Sequence, residues 1–210
     1  MDRPQPDLIY FDIGGVLVTH RPDPQQFASI LNLGTEPHVL TLIDHAIWAH
    51  RDSYDEGMTD EEFWNAVSGD CGLPEPSESK LNELVIADSR RMYGIDECAA
   101  NLLEELKAKG YTMGVLTNMP APHASIVMES PWAHKYFNGP MIFSSYVGVA
   151  KPNRGIYREA IEAAQIEAES ILFIDDREEN TKAAEFLGIS TLTWSNAHET
   201  REKLIELGIL

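Results

Sequence analysis

The sequence predicts an α/β protein: a Rossmann-like parallel sheet core with helices on both faces and an inserted small all-helical cap. Three observations carry that prediction. After Gly110, short apolar runs rich in strand formers alternate with segments of helical period, a pattern that implies a parallel sheet covered on both faces. One such run, Leu8 to Phe11, stands apart near the start of the chain. Between it and the rest lies a helical stretch, about Arg21 to Tyr93, with no convincing strand and too long for a simple crossover. The core is therefore expected at residues 1–20 and 94–210, with the cap at 21–93 inserted after the first strand.

The elements follow in order. Leu8 to Phe11 stops at Asp12 before the Gly14-Gly15 pair, as a buried strand running into a loop does. In the helical stretch Phe27, Ile30 and Leu31 share a face, as do Val39, Leu42, Ile43, Ala46 and Ile47. Thr59 with Glu62 makes a capping box ahead of Phe63, Ala66 and Val67. Asp96 is placed to cap a helix carrying Ala99, Leu102, Leu103 and Leu106, which Gly110 ends. Strands are then expected at Tyr111 to Leu116, Met141 to Phe143, Ile171 to Ile174 and Thr191 to Thr193. The helices between and after them are expected at Ala121 to Met128, Gly155 to Ala164, Thr181 to Leu187 and from about Glu199.

A chain of 210 residues that is 43% hydrophobic can bury a sizeable core as one domain or a domain with an insertion. Its formal net charge of -18 repels polyanions, so neither nucleic acid nor an anionic membrane is an expected partner. The two cysteines, Cys71 and Cys98, form no CxxC pair, which fits a reducing compartment without structural zinc. Met1 to Asp7 is polar and proline-broken, no secretory signal is expected, and no run reaches the roughly 18 apolar residues of a membrane span. A cytoplasmic location is the expectation; the oligomeric state is left open.

In an open parallel sheet, ligands bind beyond the carboxyl ends of the strands. There the sequence puts Asp12, Thr117-Asn118 and Asp175-Asp176, with Lys151 in the loop after the strand near Met141. Adjacent carboxylates such as Asp175 and Asp176 repel unless one is protonated or a cation sits between them. With Asp12 they make a hard oxygen site suited to Mg²⁺. A carboxylate can attack phosphorus, and Mg²⁺ with Lys151 as a point charge can cancel the repulsion of a phosphate dianion. Thr117 and the amide of Asn118 can donate to the remaining phosphoryl oxygens.

Here the chain resembles the haloacid dehalogenase-like superfamily, in order over nearly its whole length. LIYFDIGGVLV resembles the first motif, with Asp12 as nucleophile, and MGVLTNM the second, with Thr117. AKPNRGIY resembles the third, with Lys151, and ILFIDDREENTKAAEFLGI the acidic fourth. The resemblance implies a phosphohydrolase that needs Mg²⁺, held by Asp12, Gly14, Asp175 and Asp176, and acts on a small phosphorylated metabolite. It also implies that the cap closes over the site.

One departure matters. Phosphatases of the family usually carry a second Asp two residues after the nucleophile, where this chain has Gly14. The resemblance gives that Asp a backbone carbonyl for the metal and a side chain that protonates the leaving group; glycine keeps only the first. General acid-base catalysis supplies about 10² to 10⁴ in rate, roughly 3 to 5 kcal/mol of barrier. His20 or His50 are candidate replacement donors. The motif is also similar to a subgroup with glycine here that includes a bacterial sugar-1-phosphate phosphatase, which points to a sugar phosphate. True haloacid dehalogenases likewise lack the second Asp, so a metal-independent 2-haloacid dehalogenase is the alternative activity, disfavoured by the Asp175-Asp176 pair. A third reading, a catalytically weak binding protein, is opposed by retention of Asp12, Thr117, Lys151 and Asp176.

Other features are read as structural. His45, Trp48, His50, Arg51, Tyr54 and Trp64 lie on or near an apolar face and are assigned to packing rather than recognition. The seven histidines show no metal-binding spacing. Glu159, Glu162, Glu167 and Glu169 read as a solvated surface. Asn180 reads equally as a helix cap or as a group orienting a metal-bound water.

Overall fold

In the computed structural model, residues 5–210 are described, so the part of the amino-terminal reading that falls on Met1 to Pro4 lies outside the described residues. Strand β1 (Leu8–Phe11) is buried along its whole length. Four helices follow: α1 (Pro24–Leu31), α2 (Pro37–Asp55), α3 (Asp60–Asp70) and α4 (Glu78–Ser89), the last running into a 3-10 turn at Arg90–Tyr93. Then come α5 (Glu97–Ala108), β2 (Thr112–Thr117), α6 (Ala121–Glu129), α7 (Pro131–Tyr136), β3 (Met141–Phe143), α8 (Ser144–Val147) and α9 (Arg154–Ala164). The chain ends through β4 (Ile171–Asp175), α10 (Glu178–Glu185), β5 (Ser190–Thr193) and α11 (Ala197–Glu206).

The five strands form one parallel sheet in the order β3-β2-β1-β4-β5. The period-two alternation of each strand sorts its side chains between two cores. Ile9, Phe11, Met113, Val115, Leu172 and Ile174 face one, covered by residues of α5, α6, α7 and α11 such as Leu103, Val127, Trp132 and Leu204. Leu8, Tyr10, Leu116, Ile171 and Phe173 face the other, covered by Ile156, Tyr157 and Ala160 of α9 and Ala184 of α10. Each fully buried Ile, Leu or Phe contributes about 1.5–3 kcal/mol, so both faces are strongly held.

Helices α1 to α4 enclose a separate core of their own, including Phe27, Ile43, Ile47, Tyr54, Phe63, Trp64 and Leu84. Tyr54 stacks on Phe63 with ring centroids 4.0 Å apart. The capping box is present: Thr59 accepts from the Glu62 amide, and the Glu62 carboxylate accepts from the Thr59 amide at 3.0 Å. The chain enters and leaves this helical unit side by side. The Asp96 amide donates to the Leu17 carbonyl at 2.8 Å, and the Thr19 hydroxyl donates to the Asp96 carboxylate at 2.6 Å.

That last contact corrects one expectation. Asp96 does precede α5, but its carboxylate turns to Thr19 and caps nothing. Helices α7 and α8 were not anticipated; six and four residues are too few to display a 3.6-residue period. The four glutamates Glu159, Glu162, Glu167 and Glu169 are all exposed. Among the described residues, no helix is long and apolar enough to cross a membrane.

Candidate active site

The register of the central strands decides what meets at their carboxyl ends. Phe11 is level with Val115 and Ile174, so the next residue, Asp12, stands beside the last turn of backbone in both neighbours. The Asp12 amide donates to the Ile174 carbonyl at 2.9 Å, which extends the sheet by one residue and fixes where the carboxylate starts. The loop beyond folds back on itself: the Ile13 carbonyl accepts from the amides of Leu17 and Val18, both at 2.9 Å. Gly15 sits in it at φ +82°, and a Cβ there would run into the Asp176 carboxylate, so the loop needs glycine at this position for both reasons. Gly14 is different. A Cβ there meets nothing within 4 Å, and its carbonyl accepts no hydrogen bond from the described residues.

Lys151 is the hub of the site. Its ammonium is buried and lies 3.1 Å from Asp12 Oδ1, 2.5 Å from Asp175 Oδ2 and 3.0 Å from the Leu116 carbonyl oxygen. Of its three N–H donors, two are hydrogen-bonded to Asp175 and the Leu116 carbonyl, and Asp12 stands at ion-pair distance. Lys151 brings its charge to bear on any ligand that reaches Asp12. Burial works against that charge, but Asp12 and then Asp175 outweigh it, and its pKa is held above the ordinary lysine value.

Asp12 is buried, and its Oδ1 also accepts from the Ile13 amide at 2.7 Å. Burial pushes its pKa up to about 6, against the pull of Lys151, so the carboxylate is ionised at neutral pH yet still basic. The Thr117 hydroxyl lies close enough to favour the ionised form, but it is buried without a hydrogen bond of normal geometry. Such an orphaned group fits a site that expects an oxygen from elsewhere.

The two adjacent carboxylates have different surroundings. Asp175 is fully buried and spends both oxygens: Oδ1 accepts from the Arg177 amide and Asn180 Nδ2, and Oδ2 from Lys151 and Asn180 Nδ2. Asp176 is exposed to the cavity, and its pKa is raised by partial burial and by Asp175. The cation demanded of the pair by sequence is thus met for Asp175 by Lys151, and falls on Asp12 and Asp176. Oxygens of Asp12, Asp175 and Asp176 lie within 4.8 Å of one another. Hard carboxylate oxygens and a free Gly14 carbonyl fit a small divalent cation.

Asn118 and Asn180 hold the lysine loop and the acidic pair. The Asn118 side chain donates to the Lys151 carbonyl at 2.9 Å and accepts from the Lys151 amide at 2.8 Å, which ties the lysine loop to the end of β2. Asn180 lies inside α10 and caps nothing; its Nδ2 is used on Asp175, and its buried Oδ1 has no partner.

These groups open onto a cavity of about 490 Å³ whose opposite wall comes from the helical unit. Here the sequence reading missed most. Arg51 of α2 is buried and makes a two-pronged ion pair with buried Asp88 of α4, at 2.9 and 3.0 Å. His123 of α6 brings Nε2 to 3.1 Å from Asp88. Burial opposes ionisation of Asp88, but Arg51 and His123 prevail and its pKa falls well below the usual carboxylate range. Asp55 and Arg91 complete the wall, and burial pushes the Asp55 carboxyl up to about 7. The available signal was charge on an apolar stripe: Arg51 follows Ile47 by four residues, and Asp88 follows Leu84 by four. Of the side chains assigned to packing, Tyr54 and Trp64 are core, whereas Trp48 and Arg51 line the cavity. His20 lines it too; His50 is drawn away to Asp70 at 2.9 Å.

Known proteins share this arrangement of chain. A family model described as haloacid dehalogenase-like hydrolase matches residues 6–188. The sesquiterpene phosphatase astK of Aspergillus oryzae is 28% identical over 94% of this chain and 94% of its own. Flavin mononucleotide hydrolase 1 of Arabidopsis thaliana is 26% identical over 66% of this chain and 60% of its own. The HAD family enzyme bt-2542 of Bacteroides thetaiotaomicron is 26% identical, covers 96% of this chain and 98% of its own, and superposes with a TM-score of 0.69. The same enzyme has been solved in complex with magnesium and inorganic phosphate, at 25% identity, a TM-score of 0.67, and coverage of 90% of this chain and 94% of its own. With most of its length matched by the family model, and with its sheet and topology shared, the chain belongs to the haloacid dehalogenase-like hydrolases.

Proposed function

We propose that this protein is a Mg²⁺-dependent phosphohydrolase that cleaves a small phosphorylated metabolite, a sugar phosphate among the candidates, with Asp12 as nucleophile. The helical unit, about residues 21–93, serves in this reading as the cap over the site. The observation that carries it is the meeting of Asp12, Lys151, Asp176 and the orphaned Thr117 hydroxyl at one end of the sheet. The relatives named for phosphatase and hydrolase activity support it.

In the first step a carboxylate oxygen of Asp12 attacks phosphorus. The ester P–O bond breaks, its electron pair leaves with the substrate oxygen, and an aspartyl-phosphate forms. Water then cleaves that mixed anhydride, returning Asp12 and releasing inorganic phosphate. The Thr117 hydroxyl and the Asn118 backbone amide donate to the phosphoryl oxygens as charge develops. Lys151 keeps Asp12 aimed and ionised. Asp12, Asp176 and the Gly14 carbonyl would hold Mg²⁺, with Asp175 behind them. When bound, the cation supplies the charge that lets a carboxylate approach a phosphate dianion. No side chain at position 14 protonates the leaving oxygen, so good leaving groups are favoured.

The test is a panel of phosphorylated metabolites assayed with Mg²⁺ and with chelator, on wild type and Asp12→Asn. Phosphate release that stops in both the chelated and the Asp12→Asn samples is the expected result. Release that persists under chelation rules out the metal, and metal-free halide release from a 2-haloacid establishes the dehalogenase instead.

A further inference from the structure

We propose that Ser144 is a positioning residue for phosphoryl transfer: its buried hydroxyl couples the seating of the helical unit to the turn after β2, which presents the Thr117 and Asn118 donors. This rests on the phosphohydrolase reading above. Phe143 pairs with Thr117 in the sheet, so Ser144 stands one residue beyond β3, beside the start of that turn. Ser144 is fully buried. Its hydroxyl accepts from the Met119 amide at 2.9 Å and donates to the Asp55 carbonyl at 2.5 Å. The first partner belongs to the turn; the second is the last residue of α2, 89 residues before Ser144.

Neither partner has a substitute. Asp55 ends α2, where the last carbonyls of a helix lack an amide ahead of them, and none of the described amides beyond the helix donates to its carbonyl. The Met119 amide donates to Ser144 and to nothing else among the described residues. A hydroxyl has a single proton, and once that proton is committed to a carbonyl its lone pairs are fixed in direction and accept more strongly. Contact with the helical unit therefore tightens the hold on the Met119 amide. Asn118 is the neighbouring residue. Its side chain holds the Lys151 loop, and its own amide donates to nothing among the described residues, so the aim of that amide at a phosphoryl oxygen follows from how the turn is held. The fit around Ser144 is close: Gly57 lies at φ +113° in the turn after α2, and a Cβ there would sit 3.4 Å from the Ser145 carbonyl oxygen. A second cross-link reaches the same stretch of chain, since Asp88 of α4 lies 3.1 Å from Nε2 of His123, four residues beyond Met119. The helical unit thus grips residues 117–123 at two points, and Ser144 is the one next to the donors.

The experiment compares wild type, Ser144→Ala and Ser144→Cys with Mg²⁺ present, using inorganic phosphate as the binding probe and p-nitrophenyl phosphate and pentyl phosphate as substrates. Ser144→Ala is expected to weaken phosphate binding and to cut kcat/KM, each by about tenfold, the loss of one hydrogen bond. The factor should be the same for both esters, because the phosphoryl group and not the leaving group is misplaced. Ser144→Cys, close in size but a weak hydrogen-bonding group, should lose nearly as much, which separates the hydrogen bonds from the packing. A role confined to stability would lower Tm and leave phosphate binding where it was. That result, unequal losses on the two esters, or a Ser144→Cys variant as active as wild type overturns the proposal. Hydrogen exchange reads the coupling without turnover: Ser144→Ala should speed exchange of the Met119 amide and, across the boundary, of the last turn of α2. Faster exchange at Met119 alone overturns it. If wild type neither hydrolyses the esters nor binds phosphate, the phosphohydrolase reading fails, and the exchange measurement decides the coupling by itself.

Discussion

Replacing Lys151 by methionine removes the cation that Asp12 and Asp175 share while keeping much of the side chain's length. At 3.1 Å and an effective dielectric of about 20, one such pair attracts by about 5 kcal/mol before desolvation is counted. Breaking a buried pair by removing one partner costs about 3–5 kcal/mol in practice, because the remaining charge stays buried. That is the expected loss of stability at about pH 8. The loss should also depend on pH in a definite direction. Without Lys151, the buried Asp12 carboxyl, which burial already pushes up, holds its proton in the folded state at pH values where the unfolded chain has lost it. The folded variant then binds more protons than the unfolded one, so its deficit grows as pH rises and shrinks as pH falls toward about 5. Urea unfolding of both proteins in chelator, at about pH 5 and pH 8, measures the two deficits. A deficit below about 1 kcal/mol at the higher pH, or one of the same size at both, would refute the argument that Lys151 neutralises buried carboxylates.

Three further predictions come from the same geometry. Gly14→Asp has room for its side chain and should raise the rate on poor leaving groups by about 10² or more while changing good ones little; equal effects on alkyl and aryl phosphates would contradict the acid-base account. Asp55, whose carboxyl is raised mainly by burial from 3.8 to about 7, binds a proton when folded that it releases when unfolded, so it lowers stability progressively between about pH 4 and 7 by up to about 4 kcal/mol; Asp55→Asn should therefore gain on wild type as pH rises through that window, and parallel melting curves would count against it. Asp88→Asn strands the buried Arg51 guanidinium, at a cost of about 3–5 kcal/mol; calorimetry should show a midpoint lower by about 10 °C, and an unchanged one would mean the pair contributes nothing net.

How much of this was legible in the sequence depends on whether the signal was local. Leu8 to Phe11 could be read because four apolar residues ending in an acid describe a buried strand whose end faces a ligand. The Thr59–Glu62 box could be read because both halves of the motif lie within one turn of helix. Asp12, Thr117, Lys151 and Asp176 could be brought together because strand ends in a parallel sheet share an edge whatever the intervening chain does. The division of labour between Asp175 and Asp176 could not, since it depends on which carboxylate the packed sheet turns toward Lys151. Nor could the Arg51, Asp88 and His123 cluster, because its members come from three helices, and a charged residue on an apolar stripe declares its partner only once the helices are packed. Asp96 shows the same limit: its position before a helix was local, but the Thr19 hydroxyl it chose lies 77 residues away.

That Thr19 to Asp96 clasp also says how this architecture tolerates change. The strand register, the carboxyl-end cluster and, apart from Met92 and Ile95, both sheet cores draw on segments outside the loop it closes, and the two ends of the loop are already hydrogen-bonded to each other. A brief turn joining them would leave the sheet's hydrogen bonds intact, while a different bundle spliced at the same neck would give the same strand ends a new facing wall. The sheet and the bundle above it are thus parts of the chain that can be exchanged separately.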